Sequence, residues 1–223
     1  ASRVSEGKPN PGPTTTSLVR PDLLGFAFHL AWLCLFMYDV IPGFAGNDDA
    51  SFNALNPVYL FSALSLMAVL CFGIARTHAF MQVVRSKTGC YAAPVVCSIG
   101  TLFYALCAMD VAWEPLVTPL LLLGGIMTGA SSAMLAAHWA SVFGRAKARA
   151  VIMNFTIILV AVLIACLAIS YLFPTTALIV ATLLPLASGA SLIYADGRAA
   201  ECNVRHGALL RHGKRVARAH APF

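Results

Sequence analysis

Charge is scarce in this chain. Asp, Glu, Lys and Arg make up 11% of its 223 residues, where a soluble domain carries about a quarter. The long apolar runs contain none of the four in their central thirds. That excludes an intramembrane carboxylate chain for proton coupling and an arginine-studded voltage sensor. There is no H-E-x-x-H, no G-x-S-x-G, no phosphate-binding glycine loop and no paired catalytic carboxylates, so no catalytic residue and no enzyme is expected. The chain also lacks a C-x-x-C pair. Its seven cysteines are odd in number, with Cys34, Cys71, Cys97, Cys107 and Cys166 inside apolar runs and only Cys90 and Cys202 outside them. This favours buried free thiols over a disulfide framework, a metal site or a bound cofactor.

What is present is apolar. With 59% hydrophobic residues and a mean hydropathy of +0.79, the chain reads as an all-α polytopic membrane protein whose first partner is the lipid bilayer. Six transmembrane helices are expected at about 23–41, 58–75, 93–112, 116–143, 150–173 and 175–194. This threading puts every Lys and Arg on one side: Arg3, Lys8 and Arg20; Arg76, Arg85 and Lys87; Arg145, Lys147 and Arg149; and Arg198, Arg205, Arg211, Lys214, Arg215 and Arg218. Polybasic segments resist translocation, so both termini are expected in the cytoplasm of a multi-pass cell-membrane protein. The same bias accounts for most of the +6 net charge. Aromatic residues follow the two interfaces, with Tyr38, Tyr59, Trp113 and Tyr171 on the exported side and Tyr91, Trp139 and Tyr194 on the other.

Three segments follow. Residues 1–21, rich in Pro, Gly, Ser and Thr, read as a disordered cytoplasmic lead; 22–195 form the six-helix domain; 196–223 form a basic tail, either a linker or a truncated end. The tail repeats Arg205-His206-Gly207 as Arg211-His212-Gly213, a composition able to hold phosphate on lipid or nucleic acid. A cleavable signal ending at Gly43-Phe44-Ala45 is the alternative for the first run. Asn56-Pro57 is expected to start the second span as cap and first-turn proline, and Pro94 the third in the same way. The turns at Glu114-Pro115 and Pro174 are short, so spans three and four, and five and six, are expected to be hairpins. The fourth run exceeds the roughly 20 residues of a straight crossing and should tilt or project.

Within the spans, Gly125, Gly129, Ala133, Ala137 and Ser141 recur at four-residue steps as a ridge of small side chains, suited to close packing inside the chain or to a homodimer. Pro185 interrupts the sixth span and is a static kink or a hinge. His29, Trp32 and Phe36 share one helical face, in a ligand pocket or, for His29, as a hydrogen-bonded packing residue. His138, Asp39 and Asp110 complete the ligand-pocket candidates, the two aspartates lying close enough to the exported interface to be simply wetted.

The stretch Leu122-Leu123-Gly124-Gly125-Ile126-Met127-Thr128-Gly129 through Trp139, with Phe143-Gly144-Arg145-Ala146-Lys147-Ala148-Arg149-Ala150 after it, resembles the fourth helix and basic turn of major facilitator proteins. Six spans with cytoplasmic termini are similar to the amino-terminal half of that fold. The loop from Arg76 to Arg85 departs from it, lacking the aspartate and glycines of G-x-x-x-D-R-x-G-R-[RK]. Trp139-Ala140-Ser141-Val142-Phe143-Gly144-Arg145 and Leu183-Leu184-Pro185-Leu186-Ala187-Ser188 are similar to phrases of the membrane domain of bacterial LuxR-type regulators, over about residues 22–195. The resemblance implies a sensor of an unknown small-molecule ligand, coupled to DNA only through a helix-turn-helix domain that this sequence does not contain. The other readings are half of a major-facilitator transporter, completed by a homodimer or a second six-helix half, and a membrane scaffold.

Overall fold

A computed structural model describes the backbone of residues 23–37, 49–84, 86–109 and 111–219, and side chains at 23–36, 59–84, 86–109, 111–195 and 197. The expected disordered lead, Asp39, Asp110 and the Gly43-Phe44-Ala45 alternative lie outside these residues. The described residues form seven helices and no strand: α1 (Phe26–Met37), α2 (Asp49–Ala75), α3 (Thr77–Val84), α4 (Lys87–Ala108), α5 (Glu114–Phe143), α6 (Ala148–Ser170) and α7 (Pro174–Ala219). Four of them are long and apolar enough to cross a membrane, namely α4, α5, α6 and the Pro174–Ala195 part of α7; α2 and α3 together make a fifth if counted as one broken span. The expected first span is described only as the 12-residue α1, shorter than the roughly 20 residues of a crossing. The architecture is that of an all-helical, membrane-embedded chain. Consistent with lipid around it, α2 turns Leu60, Leu64, Met67 and Phe72 outward, and α6 does the same with Ile152, Val160, Leu163 and Ile164.

Two expected helix starts are wrong for the same physical reason. α2 begins at Asp49 and α4 at Lys87, so Asn56-Pro57 and Pro94 are interior positions. A proline removes one backbone donor, and a helix packed among others absorbs that loss. At α4 the true cap is Ser86, whose Oγ accepts from Gly89 N at 2.9 Å. The Pro94 ring seats on Gly189 of α7, filling the space a side chain would need there.

The first basic loop is a helix. α3 leaves α2 at 115° and buries Phe80 and Val84, one turn apart, against the bundle. Phe80 packs flat on Gly73, where a Cβ would stand 3.0 Å from the ring.

α5 is the central element, packing on α2, α4 and α7. It measures 30 residues, about 45 Å at 1.5 Å per residue, more than the bilayer core requires. The ridge of small residues lies inside the chain: Gly125, Gly129 and Ala133 are buried and Ala137 and Ser141 half-buried. Gly129 faces the Ser62 carbonyl of α2, and Gly124 approaches the Gly100 carbonyl of α4.

The α4–α5 pair packs extensively, as a hairpin should, but α6 and α7 barely touch. α1 packs on both of them, with Cys166 Sγ of α6 4.0 Å from the Ala31 carbonyl. The short turn at Pro174 makes them neighbours in sequence, while α1, apolar apart from His29, packs against both. Trp139 is likewise not an interfacial anchor. It is fully buried, with Nε1 donating to Ser188 Oγ at 2.9 Å. Beyond Ala195, where the sequence suggests a basic tail that is a linker or a truncated end, α7 continues to Ala219. Extending an existing helix avoids the nucleation cost, and the Ala- and Arg-rich segment has adequate propensity despite its three glycines. Pro185 is fully buried within this helix, which runs through it unbroken.

Candidate functional site

The face predicted on α1 forms, but as a filled column. His29 stacks on Trp32 at 5.9 Å and Trp32 on Phe36 at 5.2 Å, each pair inclined by 16°. Phe36 then meets Tyr59 of α2 and Tyr104 of α4 edge-on. All three α1 residues are buried. Trp32 Nε1 donates to Thr101 Oγ1 at 3.0 Å, and Thr101 in turn donates to the Cys97 carbonyl at 2.9 Å. His29 Nε2 lies 3.4 Å from Ser132 Oγ, while Nδ1 has no partner. The column therefore fastens α1 to α2, α4 and α5. Replacing Thr101 by Val removes the acceptor of the buried indole at nearly constant volume. We expect a loss of about 0.6 kcal/mol, at most about 1.7, the range for hydrogen bonds between membrane helices, read from reversible unfolding in mixed micelles.

His138 belongs elsewhere. It lines a cavity of about 330 Å³ at the end of the bundle that carries Lys87 and Arg145, a volume at the lower end of the about 300–1,000 Å³ of small-ligand sites. Its apolar wall is Val84 of α3, Val142 of α5, and Leu192 and Ile193 of α7. Its polar wall comes from the start of α4, with Ser86 and Lys87, and from the end of α5, with His138, Ser141 and Arg145. Tyr91, Cys90 and Gly197 complete the rim.

Three local features shape this wall. The N-terminus of α4 carries the partial positive charge of its unpaired N–H groups, beside the Lys87 side chain. Ser141 Oγ donates to the His138 carbonyl at 2.7 Å, which pins it to its own helix. His138 is 4% exposed, and its Nδ1 lies 2.7 Å from the Met134 carbonyl. A carbonyl only accepts, so Nδ1 carries a proton and donates to it. Its Nε2 is buried and has no partner.

The six sequence candidates thus do not make one pocket. His29, Trp32 and Phe36 are brought together as core, His138 stands at the cavity, and Asp39 and Asp110 fall outside the described residues. Lys87, Arg145 and Ser86 carry no site reading in the sequence, and Ser141 enters only as the last member of the small-residue ridge. The signal existed on α5 and its exit turn: His138, Ser141, Val142 and Arg145 are spaced i, i+3, i+4 and i+7, one helical face. Lys87 and Arg145 also satisfy the charge asymmetry of a membrane protein, which gives them a sufficient role without a site. Among the described residues no group of three or more His, Cys, Asp or Glu is placed to hold a metal ion. No protein-family model, curated protein or solved structure matches the chain.

Proposed function

We propose that the chain is a membrane-embedded sensor domain that takes a small ligand into the cavity at its basic end and passes occupancy to the helical extension of α7. The observation that carries this reading is continuity: Leu192, Ile193 and Gly197 form part of the cavity wall, and the same helix runs on to Ala219. A wall that moves on filling moves the base of that extension. Pro185, seven residues before Leu192 in α7, supplies a point where the helix lacks a backbone hydrogen bond and bends at low cost. In this reading the bundle has six spans, resembles half of a major facilitator fold, and keeps both termini and the cavity on the cytoplasmic side of the cell membrane, as its basic residues require. Its output is regulatory, of the kind the likeness to LuxR-type membrane domains implies, with DNA reached only through a separate domain.

The test needs no ligand. Ser141→Trp places an indole in the cavity, and hydrogen exchange then reports on residues 198–219 in the reconstituted full chain. A protection change of threefold or more across the extension is expected, roughly the 0.65 kcal/mol shift of a coupled two-state element. Unchanged exchange in a folded Ser141→Trp protein overturns the sensor reading.

A further inference from the structure

Among the described residues α6 is the least firmly held of the long helices. It packs on α1 and hardly on any other helix, and it turns Leu163, Ile164 and Leu167 outward, each more than half exposed. The α1–α6 contact is therefore what keeps α6 in the bundle, and that contact contains two thiols. Cys166 Sγ lies 4.0 Å from the Ala31 carbonyl. Cys34 stands three residues further along α1, and helical side chains lean toward the N-terminus, so its thiol covers the turn that carries this same carbonyl. The two thiols share a hydrogen bond. Both are free and half-buried, and each is the only cysteine of its helix. Cys166 lies four residues before the end of α6, about 6 Å at 1.5 Å per residue, at the opposite end of the bundle from the cavity. Leu163 and Leu167 flank it with exposed apolar surface, so in a membrane-embedded chain a reagent comes to the pair through lipid.

We propose that Cys34 and Cys166 are a redox pair, which a lipid-soluble two-electron oxidant of the quinone class converts to a disulfide that fixes α6 to α1. One sulfur adds reversibly to a ring carbon of a fully substituted quinone. The second sulfur then attacks the first, and the S–S bond forms as the C–S bond breaks. The electron pair of that broken bond stays on the ring, which takes up the two thiol protons and leaves as hydroquinone. The contact that now depends on side-chain packing becomes covalent, and α6 loses its freedom to part from α1. Neither the cavity nor its occupant enters this chemistry, so the sensor reading and the thiol pair stand or fall separately.

The experiment incubates the full chain, in phosphatidylcholine nanodiscs and without oxygen, with a fully substituted benzoquinone carrying a decyl chain. The protein is then alkylated, digested without reductant and mapped by mass spectrometry. A peptide joining Cys34 to Cys166 within one chain is expected, with about one hydroquinone formed per disulfide. Hydrogen exchange across residues 148–170 should slow about tenfold or more in the oxidised protein. Cys34→Ser and Cys166→Ser should each abolish both the linked peptide and the hydroquinone, with circular dichroism verifying that the variants fold. Wild-type protein whose Cys34 and Cys166 are both alkylated after quinone exposure overturns the proposal, and this outcome needs no variant. So does a cross-link that joins two chains, hydroquinone formation undiminished in Cys34→Ser, or α6 exchange unchanged by the disulfide. Cross-linking by oxidised glutathione, which does not enter lipid, at the rate seen with the quinone overturns the route through the bilayer and the proposal with it.

Discussion

Gly129→Leu is expected to prevent assembly of the bundle. A Cβ at this position would collide with the Ser62 carbonyl oxygen and with Ser65 Oγ, and would stand 2.7 Å from the Ser62 carbonyl carbon. The first obstacle cannot swing aside, and moving the second breaks a hydrogen bond. The carbonyl is part of the α2 backbone, and Ser65 Oγ is held to that carbonyl by a 3.0 Å hydrogen bond. The α2–α5 contact is the most extensive among the described residues, and close backbone approach is what stabilises membrane helix pairs in the absence of a hydrophobic force between them. Even Gly129→Ala should cost about 1–3 kcal/mol, the range for overpacking, and the leucine variant should show no cooperative unfolding transition in detergent titrations followed by circular dichroism. Gly197→Ala is the counterpart: nothing lies within 4 Å of its added Cβ, so this helix-interior change should stabilise by about 0.5–1 kcal/mol. Wild-type unfolding by Gly129→Leu would show that the ridge does not hold α2. Because α2 already occupies this face, the substitution reports on folding within one chain rather than on a dimer.

The same glycine marks the boundary of what could be read in advance. Its four-residue spacing with Gly125 and Ala133 announces a packing ridge, because helical periodicity is a local property. Which helix lies on the ridge is not local, and nothing in the spacing distinguishes α2 from a second copy. The apolar runs of α4 to α7 were legible for a similar reason, through length and uninterrupted hydrophobicity. The prolines misled at Asn56-Pro57 and Pro94 because sequence weighs the lost N–H and cannot see Gly189 waiting for the Pro94 ring. Residues 76–84 read as a loop because the segment is short and framed by Arg76, Arg85 and Lys87, and its buried residues, Phe80 and Val84, match the bundle only once α2 is in place. The cavity was least legible. Lys87, His138, Arg145 and Ile193 come from three distant segments, and their meeting is a product of tertiary packing with no periodic signature.

Trp139→Ala should be the most damaging single truncation at the basic end. The indole is fully buried, donates to Ser188 Oγ at 2.9 Å, and lies 5.8 Å from the Phe26 ring and 6.3 Å from that of Phe143. It sits in an apolar cluster with Leu23, Leu135, Val142, Leu192 and Ala195, joining α5 to α7 and to the start of α1. In a water-soluble core such a truncation costs about 3–5 kcal/mol. Here the unfolded reference remains in lipid, which removes part of the transfer contribution and leaves the lost contacts and the void, so a loss of roughly 2–4 kcal/mol is expected. Trp139→Phe keeps most of the volume and should cost about 1 kcal/mol, mainly the hydrogen bond and a small void. Ser188→Ala should cost about 0.6 kcal/mol, and the two changes combined should cost less than their sum if the Trp139–Ser188 bond contributes. The alanine variant also reaches the cavity, because Val142 and Leu192 belong both to this cluster and to the cavity wall. With the indole gone those side chains can relax inward, so Trp139→Ala should change hydrogen exchange over residues 198–219, whereas Ser188→Ala should leave it as in the wild type. An alanine variant as stable as Trp139→Phe would mean that the cluster repacks around the void, and the coupling between this core and the ligand wall would have to be abandoned.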